Sequence, residues 1–538
     1  MAYSHWFVSR QKRQLTTILP ALVAFSDVCE GKKWSGNAEL QLQFEDELQA
    51  RDITNHGKLR ARKAKQGGGG IRTLFKQMKD LGLVFTEDDN GLCRLTLIAE
   101  ELIKGNVSFV DAMRLQLQRY QYPSAAVWVG SGSVSRDFRV HPFQFMLRLL
   151  MDERLEHYIS MDEMKGLIIH YAKSDDANCF EDIVGKILDY RRLGNVAEYV
   201  IDTETKKYSD IANTFFNYIS LTQFVDRGKQ TIAVREGKER EILEYIQDKP
   251  RFIPHPELSE NYIRAYGRGT AAKDMRDFSR DGVKSKKDLD EARIRKEYAL
   301  LALKTPITGI TEDVVKAIVS NTGIDEKEVE RFLVKNYPHG NIEDFFAAYK
   351  ELAHMGTSGA ADFESATCEM FRKIFKMRAE HVGPKGNTPD VFVESEEAGF
   401  CGIIDNKAYK SSYSISGNHK RVMEDVYIPN YREYGKTELP LAFFTYIADS
   451  FGKNIDTQLN SISSETGING SAMLVDILIE FAQEFADKGY GHDELRALFS
   501  VNREVRIADL ERIRKKITVY PFKTRNGIAL VAEDSKEF

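Results

Sequence analysis

Cysteine is scarce in this chain of 538 residues. The five, Cys29, Cys93, Cys179, Cys368 and Cys401, are scattered and form no Cys-x-x-Cys pair. Such a set argues against a disulfide framework or a zinc ribbon and for a reducing cytosol. Long apolar runs are missing as well: no segment approaches the roughly 18 uninterrupted apolar residues of a membrane helix. Arg10, Lys12 and Arg13 precede no long apolar core, so a secretory signal is not expected. The expectation is a cytoplasmic protein with no membrane partner. No Gly-x-x-x-x-Gly-Lys-Ser/Thr loop occurs, which leaves ATP-driven translocation unsupported. Nor does one sign of charge prevail. The net charge is -5, which by itself says nothing of nucleic acid, so only local clusters inform.

What is present is the composition of a folded protein, 42% hydrophobic and 29% charged, long enough for about three or four domains. Residues 1–150 read as one module. Within it, Arg51 to Lys76 carries eight Lys or Arg and one Asp and includes the run Gly67-Gly68-Gly69-Gly70. Ile71, Leu74, Met78 and Leu81 then keep a helical spacing. Residues 83–95 read as two short strands around Asn90-Gly91, followed by a helix from Leu97 to Lys104. A basic helix followed by a hairpin is the order of a winged helix; an ordinary α+β module with a solvated basic face has the same pattern. The order recurs over 151–263, with a helix at Ser209 to Leu221, a hairpin at Phe224 to Val234 and a helix at Glu239 to Gln247. Residues 264–358 read as a charged helical linker, with Thr311 a candidate N-cap. The last domain, 359–538, alternates helices and strands, an α/β arrangement with a mixed central sheet.

That last domain holds the chemistry. Pro389-Asp390 is the chain's one Pro-Asp dipeptide, and an apolar strand runs from Phe400 into Asp405-Asn406-Lys407. Side chains alternate along a strand, so Asp405 and Lys407 share a face and Asn406 points away. With Asp390 on the neighbouring strand, two carboxylates and an ammonium converge. Asp390 and Asp405 offer hard oxygen ligands suited to Mg²⁺, and the Asn406 carbonyl offers another. Glu364, on the preceding helix, is a further candidate for catalysis or for the metal. Lys407, flanked by carboxylates, is expected to stay charged and to act by orientation. Phosphodiester hydrolysis needs such parts: an activated water, neutralised charge and a stabilised leaving oxygen. The competing reading of the same residues is a surface hairpin with an exposed ion pair.

This pattern resembles the PD-(D/E)xK nuclease core. More closely, Phe363-Glu364, Arg372-Lys373-Ile374-Phe375, Pro389-Asp390, the run from Gly402 to Tyr409, Tyr413, Gly417 and Asn469-Gly470-Ser471-Ala472 resemble the cleavage domain of FokI and related type IIS restriction endonucleases. The front of the chain, through His5-Trp6-Phe7-Val8-Ser9-Arg10, the Trp34 region and Gln121-Tyr122-Pro123-Ser124, resembles the recognition region of the AlwI group. These resemblances imply a multidomain enzyme. A mainly α-helical, winged-helix-like recognition region would read a short asymmetric duplex sequence, and the back domain would cut outside it with Mg²⁺. They carry the catalytic role onto Asp390, Asp405 and Lys407, and that of a helix glutamate onto Glu364. A separate cognate DNA methyltransferase is implied as a partner. In the AlwI group, nicking members can carry another residue where Lys407 stands.

Candidate duplex contacts are Arg10, Lys12, Arg13, Arg60, Arg62, Lys63, Lys65, Arg72 and Lys76, through phosphates or, for arginine, guanine edges. One catalytic centre cuts one strand. FokI-like enzymes pair their cleavage domains through a helix bearing an opposite-charge pair four residues apart. Arg421 and Asp425 fall at that spacing with the signs reversed, which implies a transient homodimer; the alternative is an intrahelical ion pair. Competing functions are a strand-specific nickase, the large subunit of a heterodimeric cutter, and a DNA-binding regulator with an inert nuclease domain.

Overall fold

The structure, a computed structural model, describes residues 5–9, 15–51, 53, 69–125, 137–194, 206–228, 230–235, 237–256, 258–278, 286–385, 387–409 and 412–519. They fall into two compact units, Met1–Leu303 with Gly309–Ala347, and Lys304–Thr308 with Ala348–Phe538.

The front unit is mainly helical with two small sheets. The basic helix forms at Gly69–Asp80, and its apolar stripe puts Ile71, Leu74, Met78 and Leu81 in the core. The hairpin Val84–Thr86 with Cys93–Leu95 follows, antiparallel, with Val84 opposite Leu95. Its loop is longer than a two-residue turn. Asn90 holds it by accepting from the Leu92 N–H at 2.9 Å, and Gly91 takes the left-handed φ of +73° that favours glycine. Helix Leu97–Ile103 comes next. The second helix–hairpin–helix is also present, at Lys206–Ser220, Val225–Arg227 with Thr231–Val234, and Glu239–Gln247. Its hairpin gains a third strand, Tyr158–Ser160, too short for an alternation to be legible in sequence.

One buried hydrophobic cluster runs through this unit from Trp6 to Ala299. Trp6 lies in it and donates its indole N–H to the Ala172 carbonyl at 2.7 Å; Trp34 stacks on Phe75 with centroids 4.5 Å apart. Both are core residues, as their type suggests. The Gln121–Ser124 motif is also internal. Gln121 accepts from the Ile253 N–H at 2.7 Å and donates back to the Ile253 carbonyl at 3.0 Å. Ser124 donates to the buried Asp80 carboxylate, which also accepts from the Ser9 N–H at 2.7 Å. Two arginines of the charged stretch after residue 264 are tied inward, while Lys273, Lys286 and Lys287 are exposed. Arg264 bonds Glu260 and Asp274, and Arg276 bonds Asp274, Glu100 and the Leu95 carbonyl.

The back unit is a six-stranded mixed sheet in the order Arg503–Glu504, Asn469–Leu474, Leu441–Ala448, Phe400–Lys407, Val391–Ser395, Arg378–His381. The last three pair antiparallel, and Phe400–Lys407 pairs parallel with Leu441–Ala448. The central strands are buried along nearly their whole length and read as apolar runs, as parallel strands covered on both faces do. Two glycines serve close packing. A Cβ at Gly402 would lie 2.3 Å from the Phe443 ring, and one at Gly470 would lie 2.2 Å from Phe444. Asn469–Leu474 is a strand, and the following helix starts at Val475. The strand's two small residues, Gly470 and Ala472, hide its character from a propensity reading. Helix Ala360–Lys373 packs on the sheet with Phe363, Thr367, Met370 and Phe371 on its buried face; Asp362 in its first turn and Arg372 and Lys373 in its last complement its dipole.

Candidate active site

Strand pairing delivers the acids. Val391 is registered opposite Ile404, so Asp390, one residue earlier, lies beside Asp405. The Asn406 N–H donates to Asp390 Oδ2 at 2.6 Å and pins that carboxyl at the strand edge. Asp405 is 5% exposed, and Lys407 Nζ lies 2.7 Å from its Oδ1. This ion pair is buried, not the exposed pair of a surface hairpin. The ammonium also lies 5.8 Å and 5.9 Å from the ring centroids of Tyr413 and Tyr446, within cation–π reach.

The electrostatics follow from this crowding. Burial pushes the Asp390 carboxyl well above the ordinary carboxylate range. The Asp405 charge pushes the same way, and Lys407 only partly opposes it. Burial alone would lower the Lys407 ammonium; the Asp405 and Asp390 charges outweigh it and hold Lys407 protonated. Burial, then Lys407, lowers His419, whose Nδ1 lies 2.9 Å from the Tyr413 hydroxyl.

Glu364 comes to the Asp390 side of the site. A Cβ at Gly383 would lie 3.0 Å from Glu364 Oε2 and 3.4 Å from Asp390 Oδ1, so the missing side chain leaves room between the two carboxyl groups. Glu364 Oε2 lies 3.0 Å from His381 Nε2. Among the described residues no three His, Cys, Asp or Glu side chains are gathered closely enough to hold an ion as they stand. The donor set that does fit a hard cation is Asp390 and Asp405 with the Asn406 carbonyl, all oxygen. The Asn406 side chain turns to the opposite face, as strand alternation requires, and donates to Thr367 Oγ1 at 2.6 Å.

His381, Gly383, Tyr446 and Thr367 were not legible as site residues, because each enters from another element and no local spacing announces it. Tyr413 belongs to the FokI-like pattern, with no spacing that marks it as a neighbour of Lys407.

The other candidates lie elsewhere. Arg72 is exposed and Lys76 half-buried, one turn apart on helix Gly69–Asp80. Arg10, Lys12, Arg13, Arg60, Arg62, Lys63 and Lys65 lie outside the described residues. Arg421 and Asp425 are both exposed, and the α-helix Gly417–Val422 gives way to a π-helical turn, Met423–Tyr427, between them. Arg421 reaches Asn418 Oδ1 at 3.3 Å, while the i,i+4 pair formed here is Lys420 with Glu424 at 3.4 Å.

The family model of the FokI cleavage domain matches residues 323–506, and that of the N-terminal domain of the type II restriction endonuclease HgaI matches residues 109–242. No curated protein matches. Among solved structures, FokI alone and FokI bound to DNA align at 11% and 10% identity, each over 93% of this chain and 99% of theirs, with TM-scores of 0.30 and 0.29. The BpuJ1 endonuclease binding domain, in complex with pyrene- and phenanthrene-modified DNA, aligns at 14% identity over 49% of this chain and 96% of its own, with a TM-score of 0.35.

Proposed function

We infer that this chain, with a FokI cleavage domain behind an HgaI-type N-terminal domain, is a type IIS restriction endonuclease. It binds a short asymmetric duplex sequence through its front unit and hydrolyses phosphodiester bonds at a fixed distance outside it. The observation that carries this reading is the convergence of Asp390, Asp405 and Lys407 on one strand edge within that cleavage domain.

Asp390, Asp405 and the Asn406 carbonyl would hold Mg²⁺, with Glu364 beside Asp390. Bound there, Mg²⁺ supplies charge neutralisation at the phosphate and a more acidic water. The chain's residues do the rest. Lys407, kept charged by its neighbours, orients the attacking water and offsets phosphate charge; its proton is held too firmly for it to serve as a free base. Tyr413 and Tyr446 confine the ammonium from the sides. Arg72 and Lys76 contribute duplex phosphate contacts. Arg421 and Asp425, exposed and unpaired with each other, meet their opposites on a second cleavage domain, so that two centres cut two strands.

The reading is tested with Asp405→Ala. Duplex binding by gel shift stays at the wild-type level and Mg²⁺-dependent cleavage is lost. Cleavage that survives the substitution refutes the assignment.

A further inference from the structure

Strand alternation turns the middle residue of Asp405-Asn406-Lys407 away from the chemistry. Here its side chain enters a buried hydrogen-bond set. Thr367 Oγ1 donates to the Phe363 carbonyl at 2.9 Å. The same oxygen also accepts from Asn406 Nδ2 at 2.6 Å and shares a hydrogen bond with the Tyr349 hydroxyl at 2.8 Å. Tyr349, Phe363 and Thr367 are fully buried, and Asn406 is 7% exposed. Asn406 Oδ1 has no partner, so the amide is held at its donor end alone. The same residue's backbone N–H grips Asp390 Oδ2 at 2.6 Å. Phe363 and Thr367 flank Glu364 on helix Ala360–Lys373.

We propose that Asn406 is a positioning residue: through its side chain on Thr367 and Tyr349 and its N–H on Asp390, it locks the catalytic strand, the Asp390 carboxyl and the Glu364 helix into one frame. This rests on the nuclease reading of the site. Asn406 touches no substrate; it sets where the oxygen ligands stand. The position needs a donor of amide length. Aspartate would bury a charge against Thr367, and alanine would leave one Thr367 lone pair empty and the strand free to shift.

The test uses the full chain and Mn²⁺ as the probe, with binding read by electron paramagnetic resonance. Asn406→Ala weakens Mn²⁺ binding by about 10-fold or more, the scale seen when partners of metal ligands are removed. Thr367→Val weakens it too, and the double variant is no weaker than the poorer single, because both remove one bond. Duplex binding, which belongs to the front unit, stays unchanged in all three. A merely structural role lowers the melting temperature without moving the Mn²⁺ dissociation constant of the folded protein, and that result overturns the proposal, as do losses that multiply. Tyr349→Phe, which removes one hydroxyl and no volume, carries the test if Asn406→Ala fails to fold: it weakens Mn²⁺ binding in the same direction, and an unchanged constant overturns the proposal. Asp405→Asn separates the two readings. If it also leaves Mn²⁺ binding untouched, the site assignment falls and the proposal with it. If it weakens binding while Asn406→Ala does not, only the proposal falls.

Discussion

Lys407 sits between a carboxylate at 2.7 Å and two tyrosine rings, with 13% of its side chain exposed. A buried ammonium survives only when paired, and here Asp405 does the pairing. The consequence is a fixed charge rather than a proton shuttle. Lys407→Ala therefore lowers cleavage by about 10²–10³-fold, the range for loss of one preorganised charge-stabilising donor. Duplex affinity measured by fluorescence anisotropy does not change. Glu364 makes a softer case. Glu364→Gln keeps a group for His381 to bond and removes only the charge beside Asp390, so its expected signature is a higher Mg²⁺ requirement with the maximal rate closer to wild type; a titration of cleavage against Mg²⁺ checks it. Asp390, Asp405 and Lys407 could be read from the sequence because a strand's period of two leaves no choice of face. His381 and Gly383 could not, since they reach the site only through pairing of the Arg378–His381 strand, whose four residues include two charged side chains and a histidine and carry no strand signal.

Elements carry their own predictions. Asp344, in the first turn of helix Glu343–Ala353, accepts from the Phe109 N–H at 2.6 Å and from Asn341 at 2.8 Å. Burial nevertheless raises its carboxyl from 3.8 to about 6. The folded state thus holds this proton longer than the unfolded chain. The stability tied to it is fully present below about pH 4 and is lost as pH rises through about 6, roughly 3 kcal/mol in all. Asp344→Asn removes that dependence. The difference in unfolding free energy between the variant and wild type should therefore shift in the variant's favour from pH 4 to pH 7, as urea titrations at each pH would measure. A constant difference contradicts the account. The π-helical turn after Val422 bears on pairing. Arg421 and Asp425 stand four residues apart, but the helix changes pitch between them and no ion pair joins them. If, as proposed, they pair two cleavage domains, Asp425→Arg suppresses double-strand cleavage while single-strand nicks and duplex binding persist, which plasmid topology on a gel would show. Helices and hairpins were legible where apolar periodicity or Asn-Gly marked them. Strands Tyr158–Ser160 and Asn469–Leu474 were not, because one has too few residues and the other too many small ones for a pattern to emerge.

At the scale of the molecule, the net charge of -5 hides a division of labour that only local clusters reveal. Two arginines of the charged stretch after 264, Arg264 and Arg276, are committed to the buried Asp274. On the proposed function, duplex phosphate contacts come from Arg72 and Lys76 among the described residues. Replacing both with alanine should weaken binding alike on all sequences and reduce the slope of log affinity against log salt by about 2, as loss of two phosphate contacts requires. The cleavage half was legible as chemistry, since its acids and lysine are close in sequence; the reading half was not, since base contacts depend on which side chains of a folded surface meet the groove. The central claim is that this chain cuts both strands outside a short sequence it binds. The direct test is Mg²⁺-dependent digestion of a sequenced plasmid, with run-off sequencing of both strands. Discrete breaks at a fixed distance from one common asymmetric sequence, on both strands, are the predicted result. Breaks confined to one strand would make it a nickase, and tight duplex binding with no breaks at all would contradict the account.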